Sequence, residues 1–186
     1  MNRFLKLAAS LIAAAALAAG VLFFTSSCSP KKDAKPVYTG ITITQTELSA
    51  KLGYNWFSDK YSSAVYEVVD HDYLLKTYHD IFWARLFSED ITKWDERANC
   101  TIFTEEYVAG LQRAYYRDHF QSSASTPRLA VGEFWYLADN NDTVGHSVVI
   151  AVTNKGVIYL EPQSRTAPKV LNLTEAQISS RYLRKF

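Results

Sequence analysis

Gly145-His146-Ser147-Val148-Val149-Ile150-Ala151-Val152-Thr153, then Asn154-Lys155-Gly156, then Val157-Ile158-Tyr159-Leu160-Glu161-Pro162-Gln163 is the stretch whose reading decides the fold. Two runs rich in β-branched residues flank a turn holding Asn and Gly, a strong short-range signal for a β-hairpin. One strand opens on a histidine and the other closes on a glutamate. Residues an even number apart on paired strands share a face. A two-residue turn at Asn154-Lys155 sets His146 opposite Gln163 and Glu161 opposite Val148, whereas a turn at Lys155-Gly156 sets Glu161 opposite Ile150. In both registers His146, Glu161 and Gln163 share a face. Glu161 is diagonal to His146 and within a long side chain's reach in the first register, and more distant in the second. A three-residue loop would break this parity.

Working upstream, Asn99 to Arg117 has the pattern of a helix. Cys100, Phe103, Tyr107, Leu111 and Ala114 fall on one stripe of a 3.6-residue repeat, so Cys100 points inward at the first turn. A cysteine in such a place is often only a small buried hydrophobe. At a helix start, however, unpaired amides and the dipole favour the thiolate, and the same amides face an oxyanion formed when a thiolate attacks a carbonyl. Cys100 is therefore the candidate nucleophile and His146 the candidate base, because imidazole titrates near neutral pH. Glu161 is the candidate orienting group on the second ring nitrogen, and Gln163 is the alternative orienter.

The remaining elements follow from local signals. Thr44-Gln45-Thr46-Glu47 has the spacing of a capping box, with Gly53 placed to stop the helix. Ala64 to Val69 reads as a strand, and Asp70 or Asp72 caps a helix through Phe87 with Leu74, Tyr78, Ile81, Phe82 and Leu86 at helical spacing. Gln121 to Thr126 with Pro127 breaks the chain before a strand from Leu129 to Leu137, and Asp139 to Asp142 makes a turn. Past the hairpin come a strand around Val170-Leu171 and a short helix capped at Thr174. Helices first and strands afterwards predict an α+β domain with helices packed on an antiparallel sheet. His71, His79 and His119 lack ligand spacing and read as surface or packing residues; no metal site is predicted.

The N-terminus carries Arg3 and Lys6, an uncharged apolar run from Leu7 to Phe24, then Thr25-Ser26-Ser27-Cys28. That order is a secretory signal, and the last four residues resemble a bacterial lipobox whose Cys28 is lipid-modified. The expected organisation is a signal peptide over 1–27, a flexible tether over 28–40 rich in Lys and Pro, and one domain over 41–186. Retention of the run as a membrane anchor, or cleavage near Ala18-Ala19-Gly20, are the alternatives. All three place the domain outside the cytoplasm, and the lipidated reading makes it a membrane-anchored lipoprotein of the bacterial cell envelope. With Cys28 acylated, Cys100 has no intramolecular partner; with Cys28 free, a Cys28–Cys100 disulfide would abolish the nucleophile. The 186 residues carry a net charge of +1 with charges scattered, which gives no footprint for nucleic acid. Small ligands or peptides are the expected partners.

Asn99-Cys100-Thr101-Ile102-Phe103, Gly145-His146-Ser147 and Ile158-Tyr159-Leu160-Glu161-Pro162-Gln163 together resemble the papain-like cysteine protease module at the C-terminus of fungal chimerolectin agglutinins and related phage and bacterial proteins. The resemblance covers roughly residues 65–182, and the Glu-Pro-Gln ending is its most distinctive motif. It implies a papain-like fold in which Cys100 is the nucleophile, His146 the base and Glu161 the orienting carboxylate. It implies a peptide or protein substrate, with peptidoglycan peptide as a further option. Calcium is implied by the resemblance only: related modules carry acidic residues directly after the cysteine, where this chain has Thr101 and Ile102.

Overall fold

The computed structural model describes residues 37–53, 64–91, 99–119, 127–138, 144–180 and 182–185, all within the unit Lys35–Phe186. The signal segment with Cys28, the Gln121–Thr126 run and the Asp139–Asp142 turn lie outside the described residues.

The chain enters at β1 (Tyr38–Thr44), turns into α1 (Gln45–Leu52) and returns as β2 (Val65–Val69). A helical segment follows in three parts: α2 (His71–Tyr73), a π-helical turn (Leu74–Tyr78) and α3 (His79–Ser88). Then come α4 (Cys100–His119), β3 (Arg128–Leu129), β4 (Val131–Leu137), β5 (Gly145–Thr153), β6 (Gly156–Glu161), β7 (Lys169–Leu171), α5 (Glu175–Ser179) and β8 (Tyr182–Lys185). Among the described residues the strands form one eight-stranded sheet along β1-β2-β5-β4-β8, with β3 on β2, β6 on β5 and β7 on β6. Every pair is antiparallel except β2 with β3 and β2 with β5. The class is α+β, as the order of elements predicts.

Local chemistry sets the boundaries. Thr44 and Glu47 form a reciprocal capping box on α1, and Gly53 ends it at φ 75°, in the left-handed region where glycine is unstrained. Asp70 caps the next helix through the Tyr73 N–H at 2.7 Å, and Thr174 with Gln177 boxes α5. The folded part starts earlier than the expected boundary at Ile41. Val37 is buried and Tyr38 already pairs with Val69, because the Tyr38 ring finds an edge contact on Tyr115 at 5.5 Å. Tyr38-Thr39-Gly40 are thus edge strand rather than solvated tether.

The inward face of the third helical segment also departs from the expected stripe. Leu74, Tyr78, Phe82 and Leu86 are buried, but Ile81 is 49 % exposed, and His79 and Trp83 are buried instead. The π-helical turn holds an extra residue, which shifts the phase of everything after it. Tyr107 fastens that turn, its hydroxyl donating to the Leu74 carbonyl at 3.3 Å while the Tyr78 hydroxyl donates to the Tyr107 carbonyl at 3.1 Å. On α4, Phe103, Tyr107, Leu111 and Tyr115 are buried; Ala114 is only half-buried because the stripe drifts by one residue over four turns.

Strand β5 carries a core on each face. Val149 and Ala151 pack with the α3 and α4 side chains in one cluster, and Val148, Ile150 and Val152 pack with Leu48, Leu52, Tyr66 and Phe134 in another. A strand covered on both sides reads as a continuous apolar run, which explains Val148 to Val152. Each large aliphatic side chain so buried stabilises the fold by about 1.5–3 kcal/mol relative to exposure. No helix of the described residues is long and apolar enough to cross a membrane.

Candidate active site

The hairpin closes with the two-residue turn Asn154-Lys155. Thr153 pairs with Gly156 and the register runs to Val149 opposite Leu160. One further step sets Val148 opposite Glu161, the first of the two predicted registers, and leaves Glu161 diagonal to His146. Strand β6 ends at Glu161; Pro162 and Gln163 turn away, so Gln163 does not continue the ladder toward His146.

The distances follow from that register. His146 Nε2 meets Glu161 Oε2 at 2.6 Å, with the two side chains only 24 % and 15 % exposed. The second carboxylate oxygen, Oε1, accepts the Gln163 backbone N–H at 3.0 Å, so Gln163 braces the orienting group through its main chain. The Gln163 side-chain Nε2 is buried with no partner among the described residues. Across the sheet, Tyr136 pairs with His146 and sets its ring edge-on at 5.7 Å, which fixes the imidazole plane.

Cys100 comes to this pair from α4. Asn99 caps the helix: its Oδ1 accepts the Thr101 N–H at 3.1 Å and the Ile102 N–H at 3.3 Å, and its carbonyl accepts the Phe103 N–H at 3.1 Å. That cap holds Cys100 as the first helical residue, half-buried and unbridged. Its thiol lies beside the His146 imidazole and faces the Ser147 and Thr101 amides, the neighbours that set its titration. With Nε2 held by Glu161, the ring nitrogen left for the thiol is Nδ1.

The electrostatics follow from these contacts. The hydrogen bond to His146 lowers the Cys100 pKa; burial opposes it, and the Ser147 and Thr101 amides add to the lowering. Partnership with Cys100 first, and Glu161 second, outweighs burial and raises His146 to about 9. Burial would raise the Glu161 carboxyl, but the hydrogen bonds from His146 and the Gln163 amide together hold it below the usual range. Burial, then the nearby negative charges of Glu161 and Cys100, raise the Tyr136 phenol. The arrangement favours a thiolate and an imidazolium side by side, with a carboxylate behind. It can supply a nucleophile and, from the same imidazolium, a proton for a leaving group.

Cys100, His146 and Glu161 are thus brought together, while Gln163 contributes its backbone. The Ser147 amide, the Tyr136 ring and the Asn99 cap were not singled out as functional by sequence reasoning. Of these, only Asn99 carried a local signal, an N-cap residue ahead of an amphipathic run. His79 is a packing residue, its Nε2 donating to the Ser164 carbonyl at 2.6 Å and tying α3 to the segment after Glu161. Among the described residues no group of three or more His, Cys, Asp or Glu could hold a metal ion, so calcium stays an implication of the resemblance alone.

Against known structures, the chain aligns with Polyporus squamosus lectin bound to the human-type influenza-binding epitope Neu5Acα2-6Galβ1-4GlcNAc, at TM-score 0.51 and 15 % identity. The domain shares its fold with a fungal lectin chain. The alignment covers 76 % of this chain and 48 % of the lectin, so this chain spans about half the lectin's length. A second chain, PSL1a in a complex, aligns over the same shares at 14 % identity and TM-score 0.45. No protein-family model and no curated protein matches the chain. The likeness to the Polyporus squamosus lectin matches the fungal-agglutinin part of the expected resemblance at the level of fold, and does not bear on its papain-like protease part.

Proposed function

We propose that the domain is a cysteine hydrolase that cleaves an amide bond of a peptide or protein through Cys100, His146 and Glu161, on a papain-like plan. The observation that carries this reading is the 2.6 Å His146–Glu161 contact with the Cys100 thiol beside the same imidazole. The Cys100 thiolate attacks the carbonyl carbon, and the amides at the start of α4 stabilise the resulting oxyanion. The C–N bond breaks as the His146 imidazolium gives its proton to the departing amine, leaving a thioester on Cys100. Water then attacks the thioester carbon, its proton passing to His146 as the thiolate leaves. Glu161 holds the imidazole in one orientation throughout. Anchoring to the cell envelope through a lipid on Cys28 belongs to the same proposal; Cys28→Ser should move the protein from the membrane to the soluble fraction.

The test is a defined peptide library incubated with the wild type, Cys100→Ala and His146→Ala, with new termini read by mass spectrometry. Cleavage by the wild type alone supports the reading; equal cleavage by Cys100→Ala ends it. Parallel digestion of purified sacculi separates a cell-wall peptide amidase from a protein peptidase.

A second reading is a non-catalytic binding module. It is favoured by the fold likeness to Polyporus squamosus lectin, a protein seen with a bound glycan. It predicts that Cys100→Ala retains every ligand the wild type binds on a glycan array. Loss of binding in that variant counts against it.

A further inference from the structure

A cavity of about 360 Å³ lies beside α4, lined by Val108, Ala109 and Tyr116 from one flank of the helix and by Glu105, Arg128 and Glu133. Glu133, on β4, is 2 % exposed. Its Oε1 accepts from Trp135 Nε1 at 2.7 Å and from Ser147 Oγ at 3.0 Å. Its Oε2 is buried and meets no donor among the described residues, although Arg128 lines the same cavity. A buried carboxylate oxygen left unpaired is costly, so a residue kept in that state next to open volume is poised for a donor from outside the fold.

The cavity is also tied to the nucleophile. Ser147 gives its hydroxyl to Glu133 and its backbone N–H to the Cys100 sulfur. A single residue therefore bridges the unpaired carboxylate and the thiol. The walls complement the carboxylate: Val108 and Ala109 offer apolar surface for a methylene stem, and the Tyr116 ring offers a face for a cation. Glu105 adds an exposed negative charge. The volume falls in the range of about 300–1,000 Å³ typical of small-ligand sites.

We propose that this cavity recognises an aliphatic cation, the guanidinium or ammonium of an arginine or lysine side chain in the peptide that Cys100 attacks. The origin of the guest rests on the hydrolase reading; the binding itself needs no turnover. The probes are an arginine-containing peptide, its citrulline counterpart and free agmatine, titrated calorimetrically into the Cys100→Ala protein. The arginine peptide should bind saturably and at least tenfold tighter than the citrulline peptide, since a charge-assisted hydrogen bond is lost in the second. Glu133→Gln should erase that preference, and Ala109→Phe, which fills the cavity without touching the carboxylate, should weaken binding of the arginine peptide. Equal affinity for the two peptides in the Cys100→Ala protein overturns the site. Agmatine binding as tightly as the peptide overturns the assignment to a substrate side chain. Lys185 stands opposite Glu133 in the β4–β8 register. A preference seen only in Lys185→Ala would therefore also overturn the proposal. Selective binding without hydrolysis by the active protein would sink the catalytic reading and leave the cation site standing.

Discussion

Replacing His146 with alanine removes the first cause of the lowered Cys100 pKa and leaves the Ser147 and Thr101 amides against burial, which acts in the opposite direction. The thiol should then titrate above its wild-type value, back toward the ordinary thiol range. At pH 7 a thiol with a pKa of about 9 is ionised to about 1 %, so a lowered value in the wild type can raise the thiolate at most about a hundredfold. A less basic thiolate is a weaker nucleophile, with a Brønsted slope of about 0.4–0.5, which returns roughly half of that factor on a logarithmic scale. The net expectation is about tenfold faster alkylation of Cys100 in the wild type than in His146→Ala at pH 7. Iodoacetamide rates from pH 5 to 10, read on the Cys100 peptide by mass spectrometry, measure this. In the wild type, reactivity should fall only as the pH drops through the lowered thiol value, and should change again near pH 9 where the imidazolium is lost. Identical rates and midpoints in the two proteins would refute the thiolate–imidazolium pair.

Three further outcomes follow from single contacts. Glu161→Gln removes a charged partner of His146, so the His146 titration, followed by NMR, should move down from about 9, with kcat/KM falling about tenfold to a hundredfold for a lost charged hydrogen bond of about 1.5–3 kcal/mol; an unmoved midpoint contradicts it. Asn99→Ala strips two side-chain bonds from the start of α4, so urea unfolding should show about 1 kcal/mol lost and Cys100 alkylation should slow. Gly110→Ala would gain about 1 kcal/mol of helix propensity on an open surface, but the added methyl would run into the Tyr78 hydroxyl that the Tyr107 carbonyl holds. Net destabilisation of about 1–3 kcal/mol is expected, and a gain would refute that packing.

The hairpin was legible because its signals are local: β-branched runs, a turn within Asn154-Lys155-Gly156, and parity that keeps His146 and Glu161 on one face; the folded chain chose Asn154-Lys155 of the two registers. The caps at Thr44, Asp70 and Thr174 were legible for the same reason. What lay beyond reach depends on contacts between distant parts. The choice of Glu161 over Gln163 hangs on where β6 stops and on the Pro162-Gln163 turn. The π-helical turn that exposes Ile81 and buries Trp83 rests on Tyr107 reaching across from α4. The entry of Tyr38 into the sheet depends on Tyr115, a partner no window around Tyr38 contains. Glu133 looked like one polar residue in an apolar strand, and only the folded chain sets it beside Ser147 and an open cavity.

The covalent step can be caught directly. A peptide cleaved by the wild type is mixed with the protein and quenched in acid within the first turnover, and the Cys100 peptide is examined by mass spectrometry. An acyl adduct on Cys100 that appears before free product and is absent from Cys100→Ala is the predicted result. Turnover with no adduct on Cys100, or with the same rate in Cys100→Ala, would contradict the assignment of Cys100 as nucleophile.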